Sequence, residues 1–189
     1  MAKAKVLNEK EKQLVWSAAR RSRYPLRNKL MFLLGFNAGL RAVEIAKLCV
    51  GDVVDENGQA NEQVYLDSTQ TKGSKDRVVY INKALRKAVL EYVKEYNLLG
   101  KRQVQLLRTQ TNGGFTADTM RQAMRNLFKE AGISNASSHS CRRTALTDLA
   151  NKGVGVHVIR EIAGHANLAT TQQYLDVSSD KLAGAVELL

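Results

Sequence analysis

The sequence predicts an α+β fold, mostly α-helical, with helices around a small three-stranded antiparallel sheet. Three observations predict it. Apolar residues recur at helical spacing over most of the 189 residues. Between Asp52 and Ile81 the pattern changes to short valine-rich runs separated by polar turns. The chain has one proline, Pro25, and neither a low-complexity stretch nor an internal repeat, so nothing reads as a linker between large domains. Helices, then strands, then helices is an α+β order. One domain over residues 1–189 is expected, with a basic N-terminal segment at about 1–25 and a tail helix at about 178–189. A chain of this length buries roughly 70% of the surface its unfolded form exposes, enough to fold without covalent staples.

In chain order, Asn8 followed by Glu11 forms a capping box that opens a helix carrying Leu14, Val15, Ala18 and Ala19. Leu26, Leu30, Leu33, Leu34 and Ala38 mark a second helix, ended by Asn37 and Gly39. A short third helix runs through Val43, Ile45 and Leu48. Asp52–Asp55 reads as a first strand, with Asn57-Gly58 as a two-residue hairpin turn. Gln63–Asp67 and Arg77–Ile81 read as two more strands, joined by the polar turn Thr71–Asp76. Helical spacing returns at Leu85, Ala88, Val89, Tyr92, Val93 and Tyr96, and again at Met120, Met124, Leu127 and Phe128 up to Gly132. Further helices are expected at about 138–152, 155–163, 168–176 and 180–189.

Composition narrows the function. With 44% hydrophobic and 25% charged residues the chain is of globular type and not wholly disordered. The net charge of +11 and pI of about 9.8 indicate a polyanionic partner, a nucleic acid before an anionic membrane. The charge is uneven: +7 over residues 1–30, −4 over 31–70, +6 over 71–102, +4 over 103–163 and −2 over 164–189. The N-terminal segment and the stretch from Lys72 to Arg102 therefore face the polyanion. Cys49 and Cys141 are too few for a disulfide framework, which suits a reducing compartment. No apolar run nears the roughly 18 residues of a membrane span and the start shows no leader pattern, so a soluble, cytoplasmic protein is expected, without a membrane partner.

Several chemistries lack their motifs. There is no GxxxxGK[ST] phosphate loop, no His, Cys and carboxylate cluster at metal-ligand spacing, and no GxSxG. No cofactor and no metal are expected. What stands out is a set of Arg, Lys, His and Tyr residues. Gly39-Leu40-Arg41-Ala42-Val43-Glu44 places Arg41 and Glu44 on one helical face. Lys72 sits in a turn beside Gly73, where backbone can approach a ligand closely. His139 and Arg142, in His139-Ser140-Cys141-Arg142-Arg143, share a face if helical. Gly164-His165 is followed by Thr170-Thr171-Gln172-Gln173-Tyr174.

These motifs, in this order from Gly39 to Tyr174, resemble the tyrosine recombinases, the phage integrases and their relatives. Gly39-Leu40-Arg41-x-x-Glu44 matches the family's first box and Thr71-Lys72-Gly73 its hairpin lysine. His139-x-x-Arg142 matches the second box, and Gly164-His165 with Tyr174 nine residues later matches the third box and its tyrosine. The resemblance implies a site-specific DNA recombinase, with Tyr174 as the nucleophile that forms a 3′-phosphotyrosyl link. Arg41 and Arg142 would clamp the scissile phosphate, a task suited to planar bidentate donors. His139 would help move the tyrosine proton or hold the phosphate, Lys72 would protonate the departing 5′ oxygen, and His165 would add a hydrogen bond to the phosphate. Glu44 would support Arg41 structurally. A phenol is a weak nucleophile at neutral pH until a base or nearby cations favour its ionised form.

Neither metal nor ATP is needed, because the phosphotyrosyl bond keeps the ester exchangeable. Implied partners are double-stranded DNA, a homo-tetramer on DNA formed by exchange of the C-terminal tail, and accessory DNA-bending proteins. The implied location is the nucleoid of a bacterial or phage-type system. Only about 38 residues precede the first box, so the chain reads as a short single-domain member or as the catalytic domain of a longer protein. Two rivals share these residues: a type IB topoisomerase-like DNA relaxer, and a DNA-binding regulator without catalysis. The tail, with Leu182, Val186 and Leu189 on one stripe behind Ser179 or Asp180, packs on its own domain or on a neighbour. Arg143, His157 and the other five tyrosines match no motif, and Cys141 stands where a larger apolar residue is usual in the family.

Overall fold

A computed structural model of the chain describes residues 4–71, 75–111, 113–174 and 186–187. Contacts divide the chain into two compact units, residues 1–145 and 146–189.

The first unit opens with α1 (Glu9–Arg21). Its capping box forms as the sequence predicts: the Asn8 side chain accepts from the Glu11 N–H at 2.9 Å, and the Glu11 carboxylate accepts from the Asn8 N–H at 3.1 Å. Proline at the first position starts α2 (Pro25–Asn37). Gly39, at φ +61°, then turns the chain into α3 (Ala42–Lys47). A single turn, α4 (Val50–Val53), leads to β1 (Gln63–Leu66) and β2 (Arg77–Tyr80). α5 (Lys83–Glu95) and α6 (Ala117–Glu130) follow, capped by Asn82 and Thr116. α7 (Ser138–Asn151) begins in this unit.

α2 packs on α1, α3 and α5, while α6 packs on α1 and α3. Trp16, Phe32, Phe36 and Phe128 form the aromatic centre, with Phe32 and Phe128 edge to face at 5.2 Å. Gly35 lies so close to α7 that a Cβ there would stand 2.7 Å from the Cys141 Cβ. Cys141 is therefore small because the neighbouring helix leaves no room. The N-terminal segment is tied to α7: the Leu7 N–H donates to the Thr144 hydroxyl at 2.9 Å and the Arg143 guanidinium donates to the Ala4 carbonyl at 2.7 Å.

Among the described residues the sheet has two strands instead of the three expected. They are antiparallel, with Gln63 opposite Tyr80 and Leu66 opposite Arg77. The expected strand Asp52–Asp55 is replaced by α4 and a lone bridge from Val54 to Ala60. The cause is local. The Asp52 carboxylate accepts from the Cys49 N–H at 2.8 Å, which caps a helical turn where a strand would need to extend. Asn57-Gly58 does turn the chain, but around the Asp55 carboxylate, which takes the N–H groups of Asn57 and Gln59 at 2.9 and 2.7 Å.

The second unit contains the end of α7, then α8 (Val156–Ala163) and α9 (Leu168–Gln172). Leu146, Ile159 and Ala163 form its core, against which Leu149, Ile162 and Tyr174 pack. The expected helix 168–176 ends at Gln172, so Tyr174 follows it in a turn. Nearly all of the expected tail helix lies outside the described residues. No helix of the described residues is long and apolar enough to cross a membrane.

Candidate active site

In the first unit the site is built around one carboxylate. Arg41 occupies the position before α3, with extended backbone. An arginine side chain has no acceptor with which to cap a helix. Glu44, three residues on, supplies one instead: its Oε2 accepts the Arg41 N–H at 2.7 Å. The other oxygen, Oε1, accepts from the Arg41 guanidinium at 2.8 Å. A second guanidinium, that of Arg77, donates to Oε2 at 2.7 Å. Glu44 is fully buried, and the Arg77 and Arg41 side chains are only 10% and 18% exposed.

Burial pushes the Glu44 carboxyl up. The charge of Arg77, the Arg41 N–H, and the charges of Arg41 and Arg142 outweigh it, and the group ends below the usual carboxylate range. Arg142 is itself buried on α7 and donates to the Gly39 carbonyl at 2.5 Å. One loop thus contributes Arg41 and anchors Arg142. Three guanidiniums against one carboxylate leave an excess of two positive charges, a composition that suits a bound anion. His139 is exposed in the first turn of α7, three residues before Arg142. Its N–H donates to the Ser137 hydroxyl at 3.3 Å.

In the second unit Gly164, left-handed at φ 57°, ends α8. The Gly164 N–H reaches the Glu161 carbonyl at 3.0 Å and the His165 N–H reaches that of Arg160 at 3.2 Å. Asn167 then caps α9 through the Ala169 N–H at 2.8 Å. This places the His165 Nδ1 3.0 Å from the hydroxyl of buried Thr171. The Tyr174 N–H donates to the Thr171 carbonyl at 3.0 Å. The His165 and Tyr174 rings stack with centroids 5.7 Å apart and planes 14° apart.

Comparison with known proteins fits this architecture. Residues 5–181 match the model of the phage integrase family. The chain belongs to the phage integrase family. A tyrosine recombinase XerA of Pyrococcus horikoshii is 32% identical over 162 residues, 86% of this chain and 54% of that protein. A tyrosine recombinase XerC of Rhodospirillum centenum is 31% identical over 163 residues, 86% of this chain and 46% of that protein. The chain spans about half the length of the curated relatives it matches. A crystal structure of XerA recombinase superposes with a TM-score of 0.75 at 24% identity, covering 100% of this chain and 66% of the other. The Tn1549 transposon integrase, in complex with transposon right end DNA, gives 0.77 at 19% identity, covering 100% and 67%.

Within this integrase-family chain the structure brings Arg41, Glu44 and Arg142 together in one unit, and His165 and Tyr174 together in the other. Lys72 lies outside the described residues. Arg77 and Thr171 are partners that the motifs did not reveal. Arg77 had a readable signal: strand alternation puts it on the inward face with Val79 and Ile81, where a charge needs a counter-charge. Thr171 had none, since only burial separates it from exposed Thr170.

Proposed function

We propose that the chain is the catalytic part of a site-specific DNA recombinase, cleaving and rejoining strands through a covalent tyrosyl intermediate. The observation that carries this reading is the buried Glu44 holding Arg41 beside Arg77, with Arg142 anchored two residues from Arg41, in a chain of this family. An excess of fixed guanidinium charge is suited to a phosphodiester and to the further charge that develops as it is attacked.

The steps follow from the residue chemistry. Arg41 and Arg142 hold the non-bridging phosphate oxygens. The Tyr174 oxygen attacks phosphorus, giving up its proton with help from His139, and the bond from phosphorus to the 5′ oxygen breaks. Lys72 supplies the proton that leaves the 5′ oxygen as a hydroxyl. His165, fixed by Thr171 at one ring nitrogen, donates to the phosphate through the other. Rejoining is the reverse attack by a 5′ hydroxyl, which releases the tyrosine. One ester is exchanged for another, so neither metal nor nucleotide is consumed. Double-stranded DNA is the substrate, held electrostatically by the basic N-terminal segment and the stretch from Lys72 to Arg102. A tetramer on DNA, formed by tail exchange and aided by DNA-bending proteins in the nucleoid, completes the proposal.

The test is covalent trapping. The protein is mixed with nicked duplexes that include DNA flanking its own gene, quenched with SDS and run on a denaturing gel. A shifted protein–DNA band that Tyr174→Phe abolishes supports the reading. Salt-sensitive DNA binding without a band on the native site overturns it.

A further inference from the structure

We propose that Arg77 is a positioning residue: it keeps Glu44 charged and in place, and through Glu44 it sets the Arg41 guanidinium toward the anion it binds. The anion's identity as a DNA phosphate rests on the function proposed above.

Strand register explains why Arg77 is there. It pairs with Leu66 and shares the inward face with Val79, so its side chain is carried into the interior. A guanidinium in that setting is tolerated only with a counter-charge. Glu44 is the carboxylate it meets, at 2.7 Å, and it is fully buried. Both oxygens of Glu44 are engaged: Oε1 by the Arg41 guanidinium, Oε2 by the Arg41 N–H and by Arg77. Without Arg77, Arg41 would be the guanidinium left hydrogen-bonded to the carboxylate, which would offset its charge. With Arg77 the three groups keep one net positive charge, and Arg41 is oriented without being neutralised. Arg77 lies 33 residues from Glu44 in sequence, so the pair also fixes the sheet against α3. Arg77 acts on Arg41 through Glu44, not by touching the substrate.

The experiment uses the full chain with Arg77→Met, Arg77→Lys, Glu44→Gln and the double variant Arg77→Met with Glu44→Gln. One measurement follows the ¹³C signal of the Glu44 carboxyl against pH. The other follows the rate of covalent trapping on nicked duplexes against pH. In Arg77→Met the Glu44 titration should move to higher pH, and the acid limb of the trapping profile should move with it. Trapping near neutral pH should fall roughly 10- to 100-fold, as expected for a displaced binding group. Arg77→Lys, which restores the charge, should recover the titration and much of the rate. In the Glu44→Gln background Arg77→Met should change the rate by no more than about twofold, because its route is already cut. If Arg77→Met does not fold, Arg77→Gln carries the same expectations.

An unmoved Glu44 titration overturns the proposal, as does an equal fold-loss with and without Glu44, which would mean direct contact with DNA. The titration does not depend on catalysis. A shifted titration with no adduct from the unaltered protein would therefore refute the recombinase reading and leave the link from Arg77 to Glu44 standing.

Discussion

Replacing Glu44 by glutamine removes one charge while keeping the side chain's shape. Three donors converge on the two Glu44 oxygens, at 2.7, 2.8 and 2.7 Å. Glutamine offers one oxygen and one NH₂, so a donor faces a donor, and the three guanidiniums lose their counter-charge. Removing one partner of a buried ion pair costs about 3–5 kcal/mol. At about 2–4 °C per kcal/mol for a chain of this size, the melting temperature should fall by roughly 6–20 °C. Circular dichroism melts of the two proteins at pH 7 measure this.

The same pair of proteins tests the electrostatic cause. The Glu44 carboxyl is depressed by folding. Its stabilisation is thus complete above the unfolded-state value of about 4.3 and is lost as pH falls through the lower folded-state value. The gap between Glu44→Gln and the unaltered protein should therefore narrow as pH falls below about 4. A loss under about 1 kcal/mol at pH 7, the worth of a surface pair, would refute the reasoning. So would a gap that stays constant into strong acid.

Other expectations follow from the packing. Gly35→Ala places a Cβ 2.7 Å from that of Cys141. Overpacking of about 1–3 kcal/mol outweighs a helix-propensity gain of about 1 kcal/mol, so urea denaturation should show a loss. Trapping should suffer more than stability, because Arg142 adjoins Cys141, and Cys141→Gly in the same chain should restore it. The Cys141 thiol is fully buried and its ionisation is pushed well up by that burial. A thiol reagent should count one reactive group, Cys49, in the folded protein and two in denaturant. Thr171→Val removes the hydroxyl 3.0 Å from the His165 Nδ1. Trapping should slow by roughly 2- to 10-fold, the worth of one net hydrogen bond, without a matching loss in melting temperature.

What was legible in the sequence was what short-range chemistry decides. Asn8 and Glu11 announced a capping box, Gly39 and Gly132 helix ends, and these lie where the spacing put them. The Arg41 and Glu44 pair was legible in its three-residue spacing, although Arg41 precedes α3 with extended backbone instead of sharing a helical face with Glu44. Asp52–Asp55 misled because its valines and the following Asn57-Gly58 suit a hairpin strand, whereas the Asp52 carboxylate caps a helical turn by accepting the Cys49 N–H. Arg77 was missed because its partner lies on another element, although alternation with Val79 and Ile81 had already turned it inward. The anchoring of residues 4–7 by Arg143 and Thr144 spans more than 130 residues of sequence, and no local pattern encodes it.

The most direct test of the central claim is to identify the residue joined to DNA. The trapped adduct is digested with nuclease and trypsin, and the nucleotide-bearing peptide is sequenced by mass spectrometry. The account predicts the peptide from Glu161 to Lys181, in which Tyr174 is the sole tyrosine, carrying a 3′-linked nucleotide. A nucleotide on any other residue, or one linked through its 5′ phosphate, would contradict it.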